Sequence, residues 1–110
     1  MTGMELLPKE IKERFPALYA CEEKEPHEIE IVAKYFTPDS NWTWWAYEFD
    51  GEDIFFGLVQ GFEVEFGYFS LSELQSVRGP LGLPIERDIY YVGKTLADVI
   101  AEINAPERTQ

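Results

Sequence analysis

Four carboxylates stand within six residues of the segment EFDGED: Glu48, Asp50, Glu52 and Asp53. Clustered carboxylate oxygens are the ligands that Mg²⁺ prefers, and metal-dependent nucleases and hydrolases use such sets. Glu48, Asp50 and Asp53 are therefore candidate metal ligands. An Asp-Gly pair is also ordinary β-turn chemistry, and a nuclease needs Lys or Arg nearby to hold phosphate. We expect a structural turn and keep the metal site as an alternative.

Residues that commonly act as nucleophile, base or soft metal ligand are scarce. His27 is the single histidine, which excludes multi-histidine metal sites, and its place in a charged connector argues against a histidine-based triad. Cys21 is the single cysteine, and the charges of Glu22 and Glu23 are expected to raise its thiol pKa. The chain has neither a GxxxxGKS phosphate loop nor a GxGxxG fingerprint. We predict no catalytic residue and no cofactor, with Cys21 structural and His27 solvated.

Aromatic residues interleaved with carboxylates indicate binding chemistry instead. The 43 residues from Tyr35 to Val77 contain 13 of the 17 aromatics and eight carboxylates, but no Lys or Arg. A Trp beside carboxylates can receive a Lys or Arg side chain through a cation–π contact. The predicted partner-binding residues are Trp42, Trp44, Glu48, Glu63 and Glu65.

Side-chain alternation assigns these residues to a face of a predicted antiparallel sheet. Strands are predicted at about 29–36, 42–49, 54–59 and 62–69. A three-residue loop at 59–61, with Gly61 in the left-handed position of a G1 bulge, keeps Glu63 and Glu65 off the apolar face. The predicted packing face carries Trp45, Tyr47, Phe49, Ile54, Phe56, Leu58, Phe62, Val64, Phe66 and Tyr68. The opposite face carries Trp42, Trp44, Glu48, Phe55, Gly57, Val59, Glu63 and Glu65.

Helix signals flank this meander. The sequence predicts helices at about 8–15, 71–77 and 96–103, the last with Thr95 and Asp98 as a capping box, and a frayed tail. Residues 78–88 are predicted to form a loop, in which an Arg87 ion pair is expected to pin the chain to the sheet, and ERDIYYV could return as a short edge strand. The fold class is α+β: an antiparallel meander of three to five strands packed by short helices, in a single domain over 1–110.

The segment FTPDSNWTWWAYEFDGEDIFFGLVQGFEVEFGYFSLSEL, followed by GLPIERD, resembles the signature of domain-of-unknown-function family 2958. The LLP near the N-terminus matches as well, so the resemblance covers nearly the whole chain. Members of that family are typically encoded on plasmids, integrative conjugative elements and phages. The resemblance implies a small accessory protein of a mobile genetic element and transfers no catalytic residue.

Charge and composition limit the classes of partner that the protein can bind. With 21 acidic and 9 basic side chains the net charge is −12, which repels nucleic acid and anionic lipid and favours a basic protein surface. No apolar run approaches the roughly 20 residues that cross a bilayer. A single cysteine and an N-terminus without an apolar signal segment predict a cytoplasmic protein.

We therefore expect a non-enzymatic module whose acidic, aromatic sheet face docks a basic protein, in the manner of a nucleic-acid mimic. One alternative is a metal-dependent hydrolase or nuclease using Glu48, Asp50 and Asp53, with Glu86 and Asp88 as further candidates. The other is a structural subunit or a homodimer formed through an exposed sheet edge.

Overall fold

A computed structural model describes residues 4–105 of the chain. The expected fraying of the tail APERTQ concerns residues 105–110, of which 106–110 lie outside the described part. Residues 4–105 form five strands, three α-helices and one 3₁₀ turn: α1 (Lys9–Lys12), the turn (Pro26–Glu28), β1 (Ala33–Phe36), β2 (Thr43–Phe49), β3 (Ile54–Gln60), β4 (Val64–Ser70), α2 (Leu71–Ser76), β5 (Glu86–Arg87) and α3 (Leu96–Asn104).

All five strands join one antiparallel sheet in the order β4-β3-β2-β1-β5. The predicted α+β class and antiparallel meander are confirmed, and the ERD segment supplies the short edge strand. This order makes β2 and β3 interior strands and leaves the seven-residue β4 at one edge of the sheet.

Both faces of the sheet are packed. On one, here called the α2 face, the core residues Tyr35, Trp44, Phe55 and Phe69 contact Leu74 of α2. The other, the α3 face, is closed by α3 and the connector before β1, and its core residues are Cys21, Ile29, Ile31, Trp45, Tyr47, Leu58, Leu96 and Val99. The sequence left open whether the face that carries Trp44 is covered, and the helices in fact divide between the two sides, with α1 and α2 on the α2 face.

A β-bulge at Tyr47 changes which face the end of β2 presents. Trp45 pairs with Leu58, so the two share a face as predicted, but after the bulge Glu48 pairs with Phe56 and Phe49 with Phe55. The extra residue reverses the alternation, since paired residues share a face. Glu48 therefore points to the α3 face and Phe49 to the α2 face, the reverse of the prediction.

The second hairpin has an odd-length loop, as predicted, but at a different place. Gln60 pairs with Val64, which leaves the three residues 61–63 in the turn instead of 59–61. Gly61 does not adopt a left-handed conformation, so the predicted G1 bulge was wrong. The shift places Phe62 in the turn, where it is 95% exposed.

Toward the C-terminus the predicted helix agrees closely with the structure, whereas toward the N-terminus the predicted helix and strand are longer than the observed ones. The capping box of α3 is present, with Thr95 Oγ1 accepting from Asp98 N–H at 3.1 Å and Asp98 Oδ2 accepting from Thr95 N–H at 2.8 Å. The first helix ends at Lys12, before the predicted residue 15. The predicted strand at 29–36 begins only at Ala33, because the backbone of residues 29–31 bonds to residues 94–96 instead of to β2.

Candidate functional site

Glu48 serves as a buried anchor for the connector that precedes β1. Its side chain is 4% exposed, and its two oxygens accept from Tyr19 N–H and Cys21 N–H, each at 2.8 Å. Cys21 is buried, so its backbone amide needs such an acceptor. The structure therefore removes Glu48 from the predicted partner-binding surface and gives it a structural contact on the α3 face.

Asp50 organises the tip of the β2–β3 hairpin. Its Oδ1 accepts from the backbone N–H groups of Glu52, Asp53 and Ile54 at 2.8–3.0 Å, and Gly51 between them has φ +91°. These hydrogen bonds hold the pKa of Asp50 below its usual range, because they favour the charged carboxylate. The tip is a turn held together by its own carboxylate.

Asp53 joins the hairpin to α2. Its Oδ1 accepts from Ser72 N–H at 2.9 Å and its Oδ2 from Ser72 Oγ at 3.0 Å. Glu48, Asp50 and Asp53 are thus each bonded to protein donors in three different places. Within residues 4–105 no group of three His, Cys, Asp or Glu side chains is arranged to hold a metal ion. The geometry gives no support to the metal-dependent alternative.

Cys21 and His27 occupy the environments expected of structural and solvated residues. Cys21 is buried, and burial raises its thiol pKa, with the nearby Glu48 carboxylate adding to the effect. The predicted direction is confirmed, but the cause is burial and Glu48, where Glu22 and Glu23 were expected. His27 lies exposed in the 3₁₀ turn.

The ERD triplet contacts its neighbours through a different ion pair from the one predicted. Asp88, and not Arg87, pairs across the sheet, with its Oδ2 3.9 Å from Lys34 Nζ. Arg87 pairs with Tyr35 in the β1–β5 ladder, and its Nε donates to Glu5 O at 3.5 Å. Glu86 is exposed at the start of β5. The triplet attaches an edge strand and forms no acidic cluster with the hairpin.

Three of the five predicted partner-binding residues do come together, in a shallow hollow of about 450 Å³ beside β4. Trp42, Glu63 and Glu65 line it, and Val59 and Gly67 are among the other lining residues. Glu65 pairs with Val59, so both are on the α2 face. We call this site the acidic hollow. None of the ion pairs formed within residues 4–105 involves Glu63 or Glu65.

Trp42 is held in position by the rings around it. Its indole stacks on Trp44 at 5.9 Å between centroids and meets the Phe62 ring edge-on at 5.6 Å. A Cβ on Gly61 would lie 2.3 Å from the Trp42 ring, so only glycine lets the indole rest against the turn. Trp44 itself is 8% exposed and supports Trp42 from within the core.

Exposed aromatic side chains also lie on β4, where the sequence predicted packing. Val64, Phe66 and Tyr68 are on the α3 face, as predicted, but Phe66 is 51% and Tyr68 55% exposed. They escape burial because β4 is an edge strand, and strand order was not available from the sequence. Tyr68 Oη donates to Tyr19 Oη at 3.2 Å, and this bond is the main cause of a raised Tyr68 pKa.

A groove of about 340 Å³ runs between these β4 side chains and the connector on the α3 face. Its walls include Tyr19, Tyr47, Phe56, Phe66 and Tyr68. The rim of β4 therefore presents carboxylates on one face of the sheet and aromatic rings on the other.

Comparison with protein-family models gives a match over residues 6–107, nearly the whole chain, to the family described as protein of unknown function (DUF2958). The chain belongs to the DUF2958 family. Comparison of this DUF2958 protein with curated proteins and with solved structures gives no match. No helix within residues 4–105 is long and apolar enough to span a membrane.

Proposed function

We propose that this DUF2958 protein is a non-enzymatic binding module that docks a basic protein surface through the acidic hollow. The observation that carries the proposal is the placement of Glu63 and Glu65, exposed and without an ion-pair partner among the described residues, beside the rigidly held Trp42. A Lys or Arg side chain entering the hollow would gain a cation–π contact and charge-assisted hydrogen bonds together.

Long-range charge acts in the same direction. The net charge of −12, with no Lys or Arg from Tyr35 to Val77, raises the encounter rate with a basic partner and repels phosphate backbones. Within the accessory genes of a mobile element, such a module would occupy the DNA-binding surface of a partner in the cytoplasm, as a nucleic-acid mimic. The single free cysteine suits that compartment.

A capped, lysine-rich peptide tests the hollow directly. We expect calorimetry to show binding that weakens steeply between about 50 mM and about 300 mM salt, because screening reduces attraction between exposed charges. The variant E63Q/E65Q should lose most of the affinity, and Trp42→Leu should lose part of it.

The matched control is E10Q/E86Q, which also removes two negative charges, from exposed positions on α1 and on β5 at the opposite edge of the sheet from β4. If this control weakens binding as much as E63Q/E65Q, the attraction belongs to the overall field and the hollow is not a site. A peptide that binds without salt dependence would also refute the proposal.

A further inference from the structure

The edge strand β4 is long, contains neither Lys nor Pro, and has Glu65 as its one charged residue. Sheet edges in natural proteins are blunted by short strands, Lys, Pro or a covering element, because their free backbone groups pair readily with another chain. β4 (Val64–Ser70) has seven residues without Lys or Pro, and none of the strands in residues 4–105 pairs with its outer side. The opposite edge, β5, has only two residues.

The direction of the free backbone groups can be read from the hairpin. Gly61 N–H donates to Glu63 O at 2.9 Å, which makes this a hydrogen-bonded pair of the β3–β4 ladder. In an antiparallel ladder bonded and non-bonded pairs alternate. Val64, Phe66 and Tyr68 therefore direct their N–H and C=O groups away from β3, toward the free side.

The side chains along this edge also alternate in chemistry. On the α3 face Val64, Phe66 and Tyr68 are apolar or aromatic and exposed, whereas on the α2 face Glu65 and Gly67 border the acidic hollow. A strand added to β4 would continue both faces. Successive side chains of the added strand would contact the aromatic rings of β4 on the α3 face and the carboxylates on the α2 face in turn.

We propose that β4 binds an extended segment of the basic partner by strand addition. Lys or Arg side chains of that segment would enter the acidic hollow, and the apolar residues between them would cover Phe66 and Tyr68. The sign of the partner's charge rests on the proposed function, while the pairing rests on the unprotected backbone of β4.

A second copy of the chain fits this edge less well than a basic segment. Self-pairing would bring together two chains of net charge −12. It would also place Glu63 and Glu65 of both copies on one face of the joined sheet. No Lys or Arg lies between Tyr35 and Val77 to offset these carboxylates. Like charges on neighbouring strands oppose pairing.

The probe is a short capped peptide of alternating lysine and valine, compared with two N-methylated forms. One form carries methyl groups on every valine nitrogen and the other on every lysine nitrogen. Successive N–H groups of an extended peptide point to opposite sides, so either the valine amides or the lysine amides face β4, but not both. We therefore expect the form methylated on the facing amides to bind at least about tenfold more weakly, and the other form to bind like the parent. Loss in both forms, or in neither, would overturn strand addition.

A failure of the pairing can be told from a failure of the proposed function. If the parent peptide binds with salt-sensitive affinity but the methylated forms match it, only strand addition fails; if the parent peptide does not bind, both proposals fail. Val64→Pro, compared with Val64→Ala, removes one outward N–H and should weaken the peptide about tenfold while the β3–β4 ladder remains. A dimer in light scattering that Val64→Pro abolishes would show a second copy on the edge and overturn the proposal.

Discussion

The Glu48 carboxylate accepts a 2.8 Å hydrogen bond from the backbone N–H of Cys21, 27 positions earlier in the chain. The bulge at Tyr47 makes this contact, because without the extra residue Glu48 would point to the α2 face. A carboxylate that could be taken for a metal ligand thus fixes the path of the connector over the α3 face.

Replacing Glu48 should destabilise the fold strongly. Glu48→Ala leaves the half-buried amide of Tyr19 and the buried amide of Cys21 without their acceptor, and an unsatisfied buried amide such as that of Cys21 costs about 1–3 kcal/mol. We expect a loss of about 2–4 kcal/mol in urea unfolding, with Glu48→Gln intermediate because it keeps one acceptor oxygen. Glu65→Ala, at an exposed position, should stay within about 0.5 kcal/mol. A loss below about 1 kcal/mol for Glu48→Ala would contradict the anchoring role.

Gly57 and Gly67 form a cross-strand pair and offer a matched test of the close approach beside the bulge. A Cβ on Gly57 would lie 1.9 Å from the Trp45 carbonyl oxygen, whereas a Cβ on Gly67 would have nothing within 4 Å. Gly57→Ala should therefore cost at least about 2 kcal/mol in chemical unfolding, and Gly67→Ala should be neutral within about 0.5 kcal/mol. Equal effects would show that β2 and β3 tolerate separation at this point.

Local signals in the sequence predict much of the fold. The common face of Trp45 and Leu58, the odd-length second turn and the Thr95 cap depend on residues close together in the chain, and all three are present. The bulge was missed because the prediction assumed unbroken alternation through β2. Gly57 in the middle of a strand was the available signal, since such a glycine often marks a bulge or a close backbone approach.

The candidate site was predicted only in part, because the order of the strands in the sheet could not be predicted from the sequence. Trp42, Glu63 and Glu65 were assigned to a common face correctly although the bulge was missed, because the extra residue at Tyr47 and the odd number of residues between the paired Phe49 and Phe55 offset one another. The exposure of Phe66 and Tyr68 depends on which strand lies at the edge and where α3 packs. The identity of the edge strand and the position of α3 are both set by contacts between residues far apart in the sequence. The alternation of apolar and polar side chains along a strand does not predict such contacts.

The hairpin tip should be sensitive to acid through Asp50. Its pKa lies below the usual value, so its hydrogen bonds stabilise the fold above the unfolded pKa of about 3.9 and are lost as the pH falls through the folded value. We expect Asp50→Asn to lower the thermal midpoint at neutral pH, with the difference from the parent shrinking below about pH 4. Glu52→Gln is the control, since within the described residues its carboxylate accepts no hydrogen bond. A difference that does not change with pH would contradict the role of the charge.

Titration with Mg²⁺ or Mn²⁺ separates the binding module from the metal-dependent alternative. Glu48, Asp50 and Asp53 are each bonded to protein donors, so we expect no rise in thermal midpoint beyond about 1 °C at about 10 mM metal. Metal at 100 times the Kd of a real site would add about 2.7 kcal/mol to the free energy of unfolding. That gain raises the thermal midpoint of a domain this small by roughly 10 °C or more. A rise of that size, abolished by Asp53→Asn and unchanged by Glu65→Gln, would restore the metal site and with it the hydrolase.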